Sequence, residues 1–329
     1  MSEALDNIKQ KRILFSPLNW GLGHVTRSIP VIKKLVKNNE VIICCDEAQE
    51  KFYREYFKDI WYIPHKGYPF SFTGSGNWTK EMLQNFKQLR KFKKAEQIQT
   101  EKWVKEFKID IVISDQRYGF YSKKVKSIFI THQVNLPLKF GLLHPGQWLN
   151  KFNINNFNEV WIPDFENYAL SGKMSKVRRK KYHFIGPQTR FSSKKKKKDK
   201  KYKFLCIISG PNPYAQKLYD ELVEQLSERK EKSLMVVPDY VDTGKIPIEG
   251  NLTYVTSPTL KAFESLFDCS EYVVSRAGYS TLMDLQVTKN KAILIPTPGQ
   301  HEQVYLAELH KEHKDWVFLK DVNGIEIFD

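Results

Sequence analysis

The sequence predicts an α/β protein made of two Rossmann-like halves, each a parallel, doubly wound sheet. Three observations carry this. Short apolar runs, such as residues 12–16 and 292–295, alternate with stretches of helical periodicity along the chain. Small-residue turns containing glycine follow several strands and lead into helices. The alternation stops at a lysine-rich segment and begins again at Lys203.

In order, strand 12–16 runs into Pro17-Leu-Asn-Trp-Gly-Leu-Gly-His24, then a helix to about residue 37 with Ile29, Ile32, Leu35 and Val36 on its apolar face. Strand 40–45, helix 47–57 and strand 59–63 come next. Residues 64–78, rich in glycine, proline, serine and aromatics, read as a loop, and 79–107 as a long basic helical region. Strands 110–114, 127–131, 158–162 and 182–185 complete a first domain, 1–186. A lysine-rich linker, 187–202, leads to a second domain, 203–329. There strand 203–208 passes through Ser209-Gly-Pro-Asn-Pro213 into a helix to about 228, with Asn212 as N-cap and Pro213 as first helical residue. Strands 233–237, 252–255, 272–275 and 292–295 follow, with helices between. Two halves facing each other would open a cleft at the carboxyl ends of their strands, where open α/β sheets bind ligands.

Composition bounds the function. Of the 329 residues 41% are hydrophobic and 27% charged, which fits a globular chain. No apolar run approaches the ~20 residues of a membrane span. The acidic start, Met1-Ser-Glu-Ala-Leu-Asp6, has no apolar leader, so the expected location is cytoplasmic. Cys44, Cys45, Cys206 and Cys269 form no CxxC, and read as small hydrophobes in a reducing compartment. The net charge of +16, concentrated at 194–201 and 176–181, asks for an anionic partner. The lysine runs carry no recognition motif or aromatic platform, so no specific nucleic-acid partner is expected.

The densest chemistry lies at Ser275-Arg-Ala-Gly-Tyr-Ser-Thr-Leu-Met-Asp284 and Pro296-Thr-Pro-Gly-Gln-His-Glu-Gln303. A strand feeding a glycine turn into a helix presents backbone N–H groups and the positive helix end to an anion. Ser280 and Thr281 put hydroxyls in that first turn, and Asp284 follows one turn later. His301 and Gln303 open a further helix on the same sheet edge. Together they suggest a site for a phosphate joined to a hydroxyl-rich group. In the first half, Gly21-Leu-Gly-His24 is neither GxGxxG nor a P-loop, but it stands a histidine at a helix N-terminus. The helix dipole favours the neutral imidazole, a candidate general base. Asp115, ending a neighbouring strand, would orient it. Arg27 one turn on, and His132 with Gln133 at another strand end, would line an acceptor side. HExxH, a DxD pair and a spaced Cys/His set are all missing from the sequence, so no metal is expected.

These residues resemble a known family. From Ile13 to about Leu319 the chain is similar to GT-B glycosyltransferases of the kind that includes the N-acetylglucosaminyltransferase of peptidoglycan synthesis, and more distantly to plant and macrolide glucosyltransferases. The likeness is strongest over 275–284, which matches the donor loop and helix of the family 28 C-terminal type, and over Gln300-His-Glu-Gln303. Gly21-Leu-Gly-His24 is similar to the N-terminal glycine loop. The resemblance implies a GT-B fold and an inverting, metal-independent transfer from a nucleotide diphosphate sugar, in particular a UDP-sugar. By position, Gly278, Ser280 and Thr281 would hold the diphosphate, with Arg276 in the same loop, and Asp284 the ribose. His301, Glu302 and Gln303 would meet sugar and phosphate, Ser209 and Gly210 a second phosphate loop, and 258–260 the base. His24 would be the catalytic base with Asp115 its partner, and Gly23, Arg27 and His132 would face the acceptor. That acceptor is a hydroxyl compound, with a lipid-linked or cell-envelope glycan in view, because residues 139–151 mix bulky apolar and basic side chains suited to the inner face of an anionic membrane. Two alternatives share the fold: a UDP-sugar 2-epimerase and a non-catalytic nucleotide-sugar-binding protein.

Overall fold

Strand β1 (Arg12–Pro17) is an interior strand of a seven-stranded sheet of order β3-β2-β1-β4-β5-β6-β7. The others are β2 (Glu40–Cys45), β3 (Trp61–Pro64), β4 (Ile111–Asp115), β5 (Lys126–Ile130), β6 (Glu159–Ile162) and β7 (Tyr182–Phe184). All pair in parallel, with Pro17 level with Asp115. The computed structural model describes residues 3–69, 73, 84–138, 144–178, 180–191, 199–244 and 250–328. These fall into two compact units, the first ending at Arg190 and the second beginning at Phe191.

Alternation along β1 explains why helices cover both faces. Ile13 and Phe15 share a core with Val25, Ile29 and Ile32 of helix α2 (Leu22–Leu35), which follows the short turn α1 (Glu3–Asp6). Leu14, between them, packs with Ile42, Val112, and Trp103 and Val104 of helix α4 (Phe86–Glu106). A period of two in the strand thus meets helices on opposite sides, which makes the sheet doubly wound. Helix α3 (Glu47–Arg54) begins with a capping box, Asp46 accepting from Gln49 N and the Gln49 side chain accepting from Asp46 N. Helix α5 (Pro145–Ile154) precedes β6.

The second sheet has six parallel strands in the order β10-β9-β8-β11-β12-β13. They are β8 (Tyr202–Ile207), β9 (Ser233–Val237), β10 (Leu252–Thr256), β11 (Ser270–Arg276), β12 (Lys291–Ile295) and β13 (Trp316–Phe318). Helices α6 (Tyr214–Leu226), α7 (Leu260–Asp268), α8 (Tyr279–Thr288) and α9 (His301–Leu309) connect them. Leu218 and Leu222 of α6 pack on Phe204, Cys206, Val274 and Ile293, and on Val322 and Ile325 of a closing 3-10 segment, Val322–Phe328.

Some boundaries differ from the sequence expectation. Helix α6 begins at Tyr214 with Pro213 as the capping position, and the Asn212 side chain donates to the Tyr240 carbonyl at 3.0 Å instead of capping. The Asn212–Pro213 peptide is cis. Strand β8 starts one residue inside the expected linker, fixed by Lys200 Nζ donating to the Ser270 carbonyl at 2.7 Å. Strand β13 and the 3-10 segment carry too short a period to be read from sequence. Lys194 to Lys198, residues 139–143 and most of 70–83 lie outside the described residues. No described helix is long and apolar enough to cross a membrane.

Candidate active site

In each sheet the strand order reverses direction once, between β1 and β4 and between β8 and β11. Ligand crevices in open α/β sheets form beyond the carboxyl ends of the strands at such reversals. Both groups of expected site residues stand there. An open cavity of about 590 Å³ lined by Arg12, Asn39, Glu40 and Asp110 lies at the opposite, amino end of the first sheet.

After β1 the chain turns through Gly21, whose φ of 83° is left-handed and favours glycine. It then enters α2, with Gly23 and His24 in the first turn and Arg27 one turn further on the same face. His24 Nδ1 lies 3.3 Å from Oδ1 of Asp115, the last residue of β4. The Arg27 guanidinium grips the same carboxylate through two nitrogens, Nε donating to Oδ2 at 2.8 Å and Nη2 to Oδ1. Arg27 Nη1 lies 3.3 Å from His132 Nδ1, just beyond β5. Asp115, Arg27 and His132 are buried, while the His24 side chain keeps 16% of its surface.

Charge follows geometry. Burial would raise the Asp115 carboxyl, but Arg27 and then His24 outweigh it and hold it at about 2. Burial, helped by the Arg27 guanidinium, pushes the His24 imidazole below its ordinary value against the pull of Asp115. His24 is therefore neutral near pH 7. With Nδ1–H donated to Asp115, Nε2 carries the free lone pair, as a general base requires. Arg27, expected beside the acceptor, has its fork occupied by Asp115 and His132.

In the second unit, β8, β11 and β12 are neighbours, so the loops after them share one edge. Ser209 and Gly210 follow β8, Gly210 with φ 104°. Gly278 is the N-cap of α8, and Ser280, Thr281 and Asp284 are half-buried along its first turns. His301 and Glu302 open α9, exposed and half-buried respectively. Two expected residues are braces inside this edge. Gln303 Oε1 accepts from Thr297 N at 2.7 Å, closing the turn before α9. Arg276 is buried and donates through Nη2 to the Tyr214 carbonyl at 3.2 Å, tying the start of α6 to the end of β11. Burial pulls its guanidinium down to about 10. Among the described residues no three His, Cys, Asp or Glu side chains converge as a metal site would need.

Residues 11–138 match the family described as Glycosyl transferase family 1, and residues 190–323 match the Glycosyltransferase family 28 C-terminal domain. Among curated proteins none matches the sequence. Solved structures do. Spinosyn rhamnosyltransferase SpnG complexed with thymidine diphosphate superposes with a TM-score of 0.67 at 12% identity, covering 96% of this chain and 88% of that one. The glycotransferase of kitacinnamycin gives 0.65 at 14% identity, with 95% and 87% covered. Arabidopsis thaliana UGT89C1 complexed with UDP-L-rhamnose gives 0.62 at 10% identity, with 94% and 85% covered. Fold and family matches together define a glycosyltransferase of the GT-B class, an enzyme that moves a sugar from a nucleotide sugar. The family 28 match spans most of the second unit and the family 1 match most of the first, so each half of the chain is similar to a glycosyltransferase domain.

Proposed function

We propose that the enzyme is an inverting, metal-independent transferase that uses a UDP-sugar and a hydroxyl acceptor. The observation that carries this is the His24–Asp115 contact at the reversal of the first sheet. A neutral imidazole with a fixed tautomer takes the acceptor proton as its oxygen attacks the anomeric carbon. A single displacement needs that base and no enzyme nucleophile, so the anomeric configuration inverts. The departing diphosphate is held by backbone N–H groups and the positive end of α8 at Gly278, with the Ser280 and Thr281 hydroxyls, in the role a cation would otherwise fill. Asp284 accepts from the ribose hydroxyls, and His301 and Glu302 line the sugar side, with Gln303 bracing the turn before them. A thermal-shift screen against UDP, GDP, TDP and their sugars tests the donor. Stabilisation by UDP and its sugars, unchanged by a chelator, is expected, and stabilisation by GDP or TDP alone would overturn the assignment.

The acceptor is proposed to be lipid-linked, reached by docking on an anionic membrane surface. Helix α5 supports this because it is inside out. Its buried face carries Gln147, Asn150 and Asn153, whose amides bind the Val134 and Gln133 carbonyls and Lys93. Its outer face carries Trp148 and Phe152, 66% and 67% exposed, with Leu149 and Lys151. Through Lys93, α5 adjoins α4, whose Lys87, Arg90, Lys91 and Lys94 are exposed. Aromatic side chains beside clustered bases suit an anionic interface. Co-sedimentation with vesicles of anionic phospholipid, lost in Trp148→Ala/Phe152→Ala and absent with neutral lipid, is expected. Equal sedimentation of both proteins would refute the docking face.

A further inference from the structure

Two residues beyond Asp115 lies a second buried ion pair, which proton transfer by His24 does not use. Arg117 Nε donates to Glu96 Oε1 at 2.6 Å, and both side chains are fully buried. Glu96 Oε2 accepts from the Tyr68 hydroxyl and from Gly119 N, each at 3.1 Å. Arg117 Nη2 donates to the Lys66 carbonyl at 2.7 Å, and the guanidinium lies over the Tyr68 ring. His65 Nε2 is 3.0 Å from Glu96 Oε1 and 2.8 Å from Arg117 Nη2. Burial pushes His65 down, while Arg117 and His65 overcome burial to hold Glu96 below its ordinary range. Such a pair contributes little stability over an apolar replacement. Its contacts converge instead on residues 65–68.

Those residues grip the loop that delivers His24. Asn19 Oδ1 accepts from Tyr68 N at 3.0 Å, and the Tyr68 ring meets Trp20 edge-on. Gly67 packs so closely that a Cβ there would lie 1.7 Å from Asn19 Nδ2. Gln49 Nε2 donates to the Leu18 carbonyl at 3.1 Å, and Arg117 Nη1 reaches that of Pro17 at 3.4 Å. We infer that Glu96 and Arg117 are positioning residues: through residues 65–68 they fix the 17–21 loop and so set the His24 ring against Asp115. The inference rests on the proposed base role of His24. The specific link is Asn19, whose removal leaves the ion pair intact.

Nitrogen-15 imidazole NMR reads the device directly, with His24→Ala assigning the signal. In the wild type His24 is expected as the Nδ1–H tautomer, titrating below its ordinary value. In Asn19→Ala and Gly67→Ala, each still folded by circular dichroism, the tautomer becomes mixed and titration moves back toward the ordinary value. Turnover then falls about tenfold, with donor KM unchanged. Glu96→Gln should do the same where it folds. An unaltered His24 signal in both Asn19→Ala and Gly67→Ala overturns the positioning role. Full turnover in His24→Ala would instead remove the base role, a separate failure that the NMR result cannot mimic.

Discussion

Asp115 holds His24 and Arg27 on one carboxylate, its Oδ1 lying 3.3 Å from the imidazole Nδ1 while the guanidinium takes both oxygens. The acid is thus a bridge between a buried cation and a partly open base. Its charge is set by Arg27 and its geometry by β4, and the imidazole receives the benefit of both.

Removing the proposed base should remove most of the chemistry. His24→Ala is expected to lower kcat by roughly 10²–10⁴-fold with donor KM little changed. Asp115→Asn should lower it too, because an amide can present its NH₂ to the ring and favour the wrong tautomer. Nucleotide release from a UDP-sugar in the presence of acceptor measures both, and a wild-type rate in His24→Ala would rule out its role.

The pH profile follows from the same contacts. His24 is lowered by burial first and Arg27 second, so it stays neutral to below pH 6.5, its reference value. The acid limb of kcat/KM should therefore lie below that pH. Asp115, held at about 2, stays ionised throughout and should add no second limb above pH 4. A limb above 6.5 would contradict the assignment.

Stability at low pH has the opposite partner in view. A carboxylate depressed in the folded state contributes stability above its unfolded value and loses it as pH falls toward the folded one. For Asp115 that window runs from 3.8 down to about 2. Arg27→Ala leaves the carboxylate buried without its cation and should cost about 3–5 kcal/mol in urea unfolding of the first unit. A loss under about 1 kcal/mol would mean that the pair acts as an exposed one does.

The donor site proposed for the second unit carries its own prediction. Asp284→Ala should weaken UDP binding roughly 10–100-fold by removing a charged hydrogen-bond acceptor. Calorimetry showing normal affinity would refute the ribose role.

Much of this was legible beforehand, and the reason is periodicity. Buried strands such as Ile13 to Phe15 and Ala292 to Ile295 announce themselves by composition, and glycine turns mark their ends. His24 is readable as a polar residue at a helix N-terminus and Asp115 as one at a strand end. The sequence suggests Arg27 as an acceptor-side cation, because it does not show that α2 turns this side chain inward onto β4. The Glu96–Arg117 pair leaves no sequence signal for the same reason: Glu96 sits in a helix crowded with lysines, and only the packing of α4 on the sheet separates it from a solvated face. The inner face of α5 gives no apolar periodicity, since Gln147, Asn150 and Asn153 line it beside Ile154 while Trp148, Leu149 and Phe152 are exposed.

Placing each cluster where strand order reverses has a consequence for how readiness arises. The two central strands send their connections to opposite sides, so the hollow beyond them exists once the ladder between them has formed. Recognition there interrupts no interstrand pairing, and folding itself performs the preorganisation that an isolated loop would have to achieve on meeting its ligand.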